Sequence, residues 1–317
     1  MANKPTEKID IGRIMTEAVC LTLTLSKLWT RRAVAQEDAS VKARGTSNPD
    51  AEPDQDMCHV AKDILESDEL RAVHSADNEF IGWLRRRAIP TRLFHRGIYL
   101  VSYAALATVV DRLETFQQDR EKTIQGFLSV YPAKVEQAKQ KLGDLFNPTD
   151  YPDAEALRGA FTVRWKMFEW GGTPDRIKSI DAVLFARMKK EQEETLQSAA
   201  VEIRDALRVA MAEFVSHLVV KLTGGEDGKP KKFKQSGIDA MNEFLSSFES
   251  RNITGDTDLA TLVNQARIVM GGGEMTARDL KDNDGLRKLA VDQFTRIKSA
   301  LDGMLEARPT RKISRVE

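Results

Sequence analysis

The longest regular pattern in the chain is a run of apolar residues at helical spacing, which starts after Pro174 and reaches Leu222 without a proline or a glycine. A single helix of that extent would measure about 70 Å. In its second half the apolar positions alternate steps of three and four, at Leu196, Ala200, Ile203, Leu207, Ala210 or Met211, Phe214, Leu218 and Leu222. This spacing predicts the seam of a coiled coil or a helical hairpin. The first half is polar almost all round, and we expect it to project into solvent or to pack on a partner.

Helical spacing also covers most of the remaining chain. The predicted segments are one that begins near Met57, one that Ser75 caps and Pro90 ends, then 102–130, 132–146 with Pro132 in its first turn, 238–250, 257–270 and 286–305. Three consecutive glycines, 271–273, are expected to end the helix before them and to act as a hinge.

Two short stretches have a period of two instead, which is the spacing of a half-buried strand. Residues 19–25 place Val19, Leu21 and Leu23 on one face, and residues 161–167 alternate in the same way from Phe161. A lone strand would leave its backbone hydrogen-bonding groups unsatisfied, so we expect the two strands to pair with each other.

These patterns predict a mainly α-helical protein with a small two-stranded β element, a long central coiled-coil-like helix and a C-terminal helical bundle. The expected division of the chain is an N-terminal strand and loop at 1–56, a helical domain with the second strand at 57–172, the long helix at 173–223, a basic linker at 224–237 and the C-terminal helices at 238–317.

Composition restricts the classes of function. Lys plus Arg and Asp plus Glu number 48 each, so no overall positive charge favours binding of nucleic acid, and a local patch would be needed. Two cysteines make no disulfide scaffold, and no export signal precedes them. The most apolar window, 99–110, is shorter than the roughly 20 residues that a membrane span needs. We therefore expect a soluble cytoplasmic protein with no membrane contact.

No motif for catalysis stands out. "GGEDGK" (224–229) lacks the spacing of a phosphate-binding loop, the histidines and cysteines lack ligand spacing, and the acids of "EQEET" (191–195) have the pattern of a solvated helix face. We predict no catalytic residue, no metal site, no cofactor and no small-molecule substrate, and hence a protein that is not an enzyme.

A cluster of arginines is the candidate contact site. No acid occurs between Glu79 and Asp111, and this interval contains Arg85, Arg86, Arg87, Arg92 and Arg96 with aromatic residues among them. A second basic group is formed by Lys229, Lys231, Lys232 and Lys234. Three interpretations stay open: helix caps and ion pairs to the Glu66–Glu69 region, a nucleic-acid site, or a surface for a protein partner. Arg92 and Arg96 would share a face if the segment around them were helical.

The segment "LGDLFNPTDYPDAEALRGAFTV" (142–163) resembles a family of phage- and mobile-element-encoded proteins of unknown function, in which a turn of this type precedes an alternating strand. "LTLTLSKLWTRR" (21–32), "RRRAIPTRLFHRGIYL" (85–100), "DLKDNDGLRKL" (279–289) and "ALDGMLEARPTRKI" (300–313) are similar to the same family. The resemblance implies a genomic setting near MoxR-type ring ATPases and near recombination functions, and it assigns no site residue.

The first hypothesis is a non-enzymatic accessory protein of a phage or mobile element that acts through helical protein–protein contacts, with a ring ATPase or by self-association into an oligomer. The alternatives are a DNA-binding protein of recombination or replication that uses the segment from Arg85 to Arg96, and a phage structural or assembly component.

Overall fold

The computed structural model describes residues 12–33, 61–223 and 234–306. It is 73% helical, with ten helices in these ranges, so the mainly α-helical class is confirmed. The helices are α1 (Gly12–Thr16), α2 (Asp68–Arg87), α3 (Tyr103–Leu142), α4 (Ala154–Ala160), α5 (Asp175–Ile180), α6 (Ala182–Thr223), α7 (Gln235–Arg251), α8 (Thr257–Val269), α9 (Ala277–Asp282) and α10 (Asp284–Glu306). The strands are β1 (Ala18–Leu25), β2 (Arg31–Ala33), β3 (Ala61–Asp63), β4 (Ile98–Ser102) and β5 (Val163–Phe168). None of the helices in these ranges is both long and apolar enough to cross a bilayer.

The two predicted strands are neighbours in a three-stranded sheet of order β4-β1-β5, so their predicted pairing is confirmed. The third strand, β4, pairs antiparallel with β1 from Ala18–Ser102 to Thr22–Ile98. The alternation rule could not find β4 because its last residues, Leu100, Val101 and Ser102, are all buried. A second, two-stranded sheet joins β2 to β3, so the helix predicted from near Met57 is wrong for residues 61–63.

Two predicted helix breaks are absent. Ser75 lies inside α2, and Ser67 caps this helix by accepting a hydrogen bond from the Leu70 N–H at 3.2 Å. Pro132 lies inside α3, where it removes one backbone hydrogen bond at a cost of about 3 kcal/mol. The helix continues because its buried stripe runs past the proline, from Tyr131 to Ala138.

The long helix begins later than the apolar pattern predicts. Asp181 has an extended backbone, with φ −149° and ψ 104°, and separates α5 from α6. Its carboxylate accepts hydrogen bonds from the N–H groups of Val183 and Leu184, both at 2.9 Å, which caps the new helix. The predicted seam is confirmed, since the buried residues of α6 run from Leu196 to Leu222. The glycines 271–273 end α8 with positive φ angles, as predicted.

The chain forms two compact units. Of the described residues, unit 1 contains 12–22, Leu84–Val109, 166–223 and 234–306, and unit 2 contains 23–33, 61–83 and Val110–Trp165. The predicted five-segment division along the chain stays a prediction, and most of its 1–56 segment and of its 224–237 linker lies outside the described residues.

The core of unit 1 forms where the seam of α6 packs on α10. Ala290, Phe294, Ile297 and Leu301 are the buried apolar residues of α10 in this core. Helices α7 and α8 contribute further apolar side chains, including Phe248 and Val263. The amphipathic segments predicted at 238–250, 257–270 and 286–305 correspond to α7, α8 and α10.

The core of unit 2 encloses an ion pair. Arg120 of α3 donates to both carboxylate oxygens of Asp77 of α2, at 2.6 and 3.2 Å, and to the carbonyl oxygen of Ser26 at 2.8 Å. Both side chains are almost fully buried. The rings of Phe80 on α2 and Phe116 on α3 stack with their centroids 4.1 Å apart. The pair therefore links α2, α3 and the chain after β1.

We expect Arg120→Met to lower the free energy of unfolding by about 3–5 kcal/mol, because it leaves the Asp77 carboxylate buried without its cation. Lys122→Met is the control: Lys122 pairs with Asp119 at 3.0 Å on the surface of the same helix, and its replacement should cost less than about 1 kcal/mol. Urea denaturation followed by circular dichroism measures both. Equal effects of the two substitutions would contradict the structural role of the pair.

Candidate functional site

A groove of about 810 Å³ in unit 1 lies between the connection from α2 to β4 and one face of α6. We call it the loop groove. Its apolar lining includes Ile89, Leu100 and Val209. The residues that α6 contributes are Glu202, Asp205, Ala206 and Val209, whose spacing of three, four and seven places them on one side of the helix.

The conformation of the connection from α2 to β4 is fixed by local contacts. Ile89 follows the end of α2 and its N–H donates to the carbonyl of Leu100 at 2.8 Å, which ties the start of the connection to β4. Phe94 packs edge-on against Trp170, with ring centroids 5.4 Å apart. Gly97 has φ 93°, a conformation that glycine adopts readily, and turns the chain into β4. The segment around Arg92 and Arg96 is therefore not helical, contrary to the condition under which they were predicted to align.

The structure divides the five arginines between two places. Arg85, Arg92 and Arg96 line the loop groove. Arg86 and Arg87 instead pair with Glu243 of α7, at 2.9 and 3.7 Å. Adjacent residues of a helix point about 100° apart, which separates Arg85 from its neighbours.

The predicted ion pairs of this cluster to the Glu66–Glu69 region are wrong. Glu66 pairs with Lys141 at 2.7 Å and Glu69 pairs with Lys134 at 3.8 Å. Both carboxylates lie beside α3, and the lysines of that helix are their ion-pair partners. The sequence does not show whether Glu66 and Glu69 pair with the lysines of α3 or with the arginine cluster, because both groups are cations on predicted helices.

Charges of both signs line the loop groove. Arg92 pairs with Glu202 at 3.4 Å, and its almost complete exposure makes the pair weak. Arg85 and Arg96 have no ion pair with any residue that the structure describes. Glu202 and Asp205 stand on the α6 wall. The groove can thus hold an extended segment with charged groups, while its acidic wall opposes a purely anionic ligand.

The aromatic residues of the region are mostly committed to packing. Phe94 is half-buried against Trp170, and Tyr103 donates its hydroxyl to Glu169 at 3.2 Å. Desolvation and the Glu169 carboxylate raise the pKa of Tyr103. Apart from Phe94, the lining of the groove includes the phenol ring of Tyr99. Two such rings, one of them packed on Trp170, give little support for the stacking of several bases.

The predicted lysine group is only partly described. Lys229, Lys231 and Lys232 lie outside the described residues. Lys234 is exposed at the start of α7 and does not line the loop groove.

A second cationic cluster surrounds Glu243 and was not predicted as a whole. We call Arg86, Arg87, Glu243 and Arg251 the Glu243 cluster. Arg251 is 7% exposed, with its guanidinium 4.9 Å from the centre of the Phe244 ring. Burial, and then the nearby Arg87 cation, lower the pKa of Arg251 to about 10, so it is charged at neutral pH. Glu243, Arg251 and Glu202 were not predicted as site residues, because helical spacing does not show which polar side chain of a helix faces another element.

Other candidate chemistry finds little support within the described ranges. These contain no group of three or more His, Cys, Asp or Glu side chains that could hold a metal ion. Glu191 and Glu194 are exposed and lie 3.9 and 3.8 Å from Arg187 and Lys190, as expected for a solvated face. A cavity of about 480 Å³ in unit 2 is lined in part by His74, and burial lowers the pKa of that imidazole, which keeps it neutral at pH 7.

Comparison with known proteins adds no relative: no protein-family model, no curated protein and no solved structure matches the chain. The candidate sites are therefore defined by geometry and charge.

Cys20 provides a test of the sheet behind the loop groove, because it pairs in register with the groove residue Leu100 and is fully buried. Burial raises the pKa of its thiol to about 11. In a Cys58→Ser variant near pH 8, only about one Cys20 thiol in a thousand is then ionised, and reaction with a disulfide reagent should be slow until urea unfolds the chain. An added Ser198→Cys, on the exposed side of α6, should react at once. Rapid labelling of native Cys20 would contradict the arrangement.

Proposed function

We propose that this chain is a non-enzymatic accessory protein of a phage or mobile element, which acts by binding protein through helical surfaces in the cytoplasm. The resemblance of residues 142–163 supports the genomic setting. The support for the mode of action comes from one observation on α5 and α6.

The observation is an uncovered apolar end of the long helix. Ile180 and Val183, on either side of the Asp181 break, are each 81% exposed. Residues 182–195 of α6 contain no buried side chain, although Leu184, Phe185 and Met188 are among them. We call residues 175–195 the helical tip. Covering each of the two exposed aliphatic side chains would contribute about 1.5–3 kcal/mol, which favours a partner there.

The helical tip is ordered by a contact at its base. The N–H and the hydroxyl of Thr173 both donate to the side-chain oxygen of Gln192, at 2.8 Å each. This contact holds the segment before α5 beside α6. The short helix α5, of six residues, would be marginal in isolation, so its packing beside α6 stabilises it.

Self-association is the form of binding that the charges of the helical tip favour. Within residues 187–194 of the tip, the basic residues Arg187, Lys189 and Lys190 precede the acidic residues Glu191, Glu193 and Glu194, and all six are exposed. A second copy in antiparallel orientation places the cations of each copy against the anions of the other, as a two-fold interface requires. A ring ATPase is the alternative partner, and the family resemblance supports it.

We expect the double variant Ile180→Asp and Val183→Asp to weaken self-association by about 100-fold or more, since two apolar anchors are removed. Val220→Asp is the matched control, because Val220 is 54% exposed near the other end of α6. Size-exclusion chromatography with light scattering over a range of protein concentrations measures the effect. A wild-type protein that is monomeric throughout, and that also fails to bind a MoxR-type ATPase, would refute the proposal.

DNA binding is the second candidate, and the observation in its favour is that Arg85 and Arg96 share one groove without an ion pair among the described residues. With Arg92, whose ion pair with Glu202 is weak, they make one side of the groove positive, opposite the acidic residues of α6, in a chain of zero net charge. Phosphate contacts of this kind bind without sequence preference and weaken steeply with salt.

If DNA binds in the loop groove, the double variant Arg85→Gln and Arg96→Gln should weaken binding to all sequences alike and reduce the salt dependence by about one counterion for each arginine replaced. Arg278→Gln is the control, because Arg278 is an exposed arginine of α9 that pairs with Asp282. Fluorescence anisotropy with single- and double-stranded oligonucleotides at several salt concentrations measures the affinity and its salt dependence. No binding at low salt would exclude this function.

A further inference from the structure

The Glu243 cluster has more positive than negative charge. The guanidinium groups of Arg86 and Arg87 pair with the carboxylate of Glu243, and that of Arg251 donates to the carbonyl oxygen of the next residue, Phe244. The two carboxylate oxygens of Glu243 are already shared, with Oε2 at 2.9 Å from Arg86 and Oε1 at 3.7 Å from Arg87. Within the described ranges, no carboxylate lies within ion-pair distance of Arg251. Counted over its four side chains alone, the cluster has three positive charges and one negative charge, an excess of two.

Arg251 is the member that makes this excess unusual. Its side chain is buried, and its hydrogen bonds run to the carbonyl oxygens of Ser247 at 3.4 Å and Phe244 at 3.5 Å. Contacts of that length are weak, and neutral carbonyl groups do not balance a charge. A buried cation without a counter-ion is costly, whereas surface arginines that point into water carry no such cost.

The cluster is also open to solvent on one side. The side chain of Arg86 is 54% exposed and that of Arg87 is 28% exposed, while Arg251 is buried. Arg86 and Arg87 come from the last turn of α2, and Arg251 from the last residue of α7. A small anion can thus reach the two outer guanidiniums directly and be attracted by the charge of the buried one.

The number of cations indicates which anion fits. A carboxylate has two oxygens and one charge, which suffices for two guanidiniums, as Glu243 shows. A phosphate monoester has three free oxygens and about 1.5–2 negative charges at neutral pH, which matches three guanidiniums and an excess of two. Guanidinium–phosphate hydrogen bonds are among the stronger ones in proteins because both partners are charged. A phosphodiester, with one charge and two free oxygens, matches the cluster less well.

We infer that the three arginines form a binding site for a phosphate monoester group, and that Glu243 competes with the phosphate for Arg86 and Arg87. This site is separate from the loop groove and from the helical tip in the residues that compose it. The inference is thus independent of both candidate functions above.

The test uses the full-length protein and inorganic phosphate as the probe, with isothermal titration calorimetry and with thermal unfolding against chloride at equal ionic strength. We expect phosphate to bind and to raise the unfolding temperature more than chloride does. Arg86→Gln or Arg87→Gln should each weaken phosphate binding by about tenfold, the effect expected for one charge-assisted hydrogen bond. Arg278→Gln, which removes an exposed arginine elsewhere, should leave it unchanged.

Glu243→Gln gives the sharper result. Removal of the competing carboxylate should tighten phosphate binding by about tenfold. Glu249→Gln is the matched control, since Glu249 lies on the same helix and pairs with the distant Arg267 at 3.0 Å. Arg251→Lys keeps the buried charge but removes the planar donor set, and it should weaken binding while the fold survives. A Glu243→Gln variant that binds phosphate no more tightly than wild type would overturn the inference.

A pair of oligonucleotides identifies the source of the phosphate. A short strand with a 5′-phosphate should bind the cluster more tightly than the same strand with a 5′-hydroxyl, and Arg87→Gln should abolish that difference. If only inorganic phosphate depends on the arginines, the ligand is a free phosphate. Equal binding of both strands, equally reduced by Arg87→Gln, would mean that the cluster contacts backbone phosphodiesters, and the assignment to a monoester would be wrong.

Discussion

The apolar seam of α6, from Leu196 to Leu222, is the constraint on which unit 1 depends. Ten of its side chains are buried, and α7, α8 and α10 contribute to the same core. Once this face of the helix is directed inward, the orientation of every other residue on α6 follows from helical geometry. Glu202 and Asp205 are thereby turned into the loop groove, and the helical tip extends beyond the last buried turn with Ile180 and Val183 uncovered.

Arginines in this protein have two kinds of role, which their partners distinguish. Arg120 and Arg208 each donate to both oxygens of a buried aspartate, and Asp256, the partner of Arg208 at 2.6 and 3.0 Å, also caps α8. Such pairs are expensive to break and maintain the cores. Arg85, Arg96 and Arg251 have no carboxylate of their own among the described residues. The total charge of the chain is balanced, but positive charge is in local excess at Arg85 and Arg96 in the loop groove and at Arg251 in the Glu243 cluster.

All three candidate surfaces belong to unit 1. The helical tip offers exposed aliphatic side chains, the loop groove offers charges of both signs over an apolar floor, and the Glu243 cluster offers excess positive charge. Unit 2 is organised differently, around the buried pair of Arg120 and Asp77 and a small core of aliphatic and aromatic side chains.

The sequence by itself determined the parts of the fold that depend on local periodicity: the seam of α6, the helices α7, α8 and α10, and the strands β1 and β5. The pairing of these two strands was expected on a different ground, because a lone strand leaves its backbone groups unsatisfied. Tertiary structure decided whatever required knowledge of a distant partner. Burial beyond Pro132 and along α2 outweighed local helix breakers, and pairing with β1 made a strand of β4, whose consecutive apolar residues have no period. The arginine segment shows the same limit, because its composition identified a contact region, but only the positions of α6 and α7 assigned Arg85, Arg92 and Arg96 to a groove and Arg86 and Arg87 to Glu243.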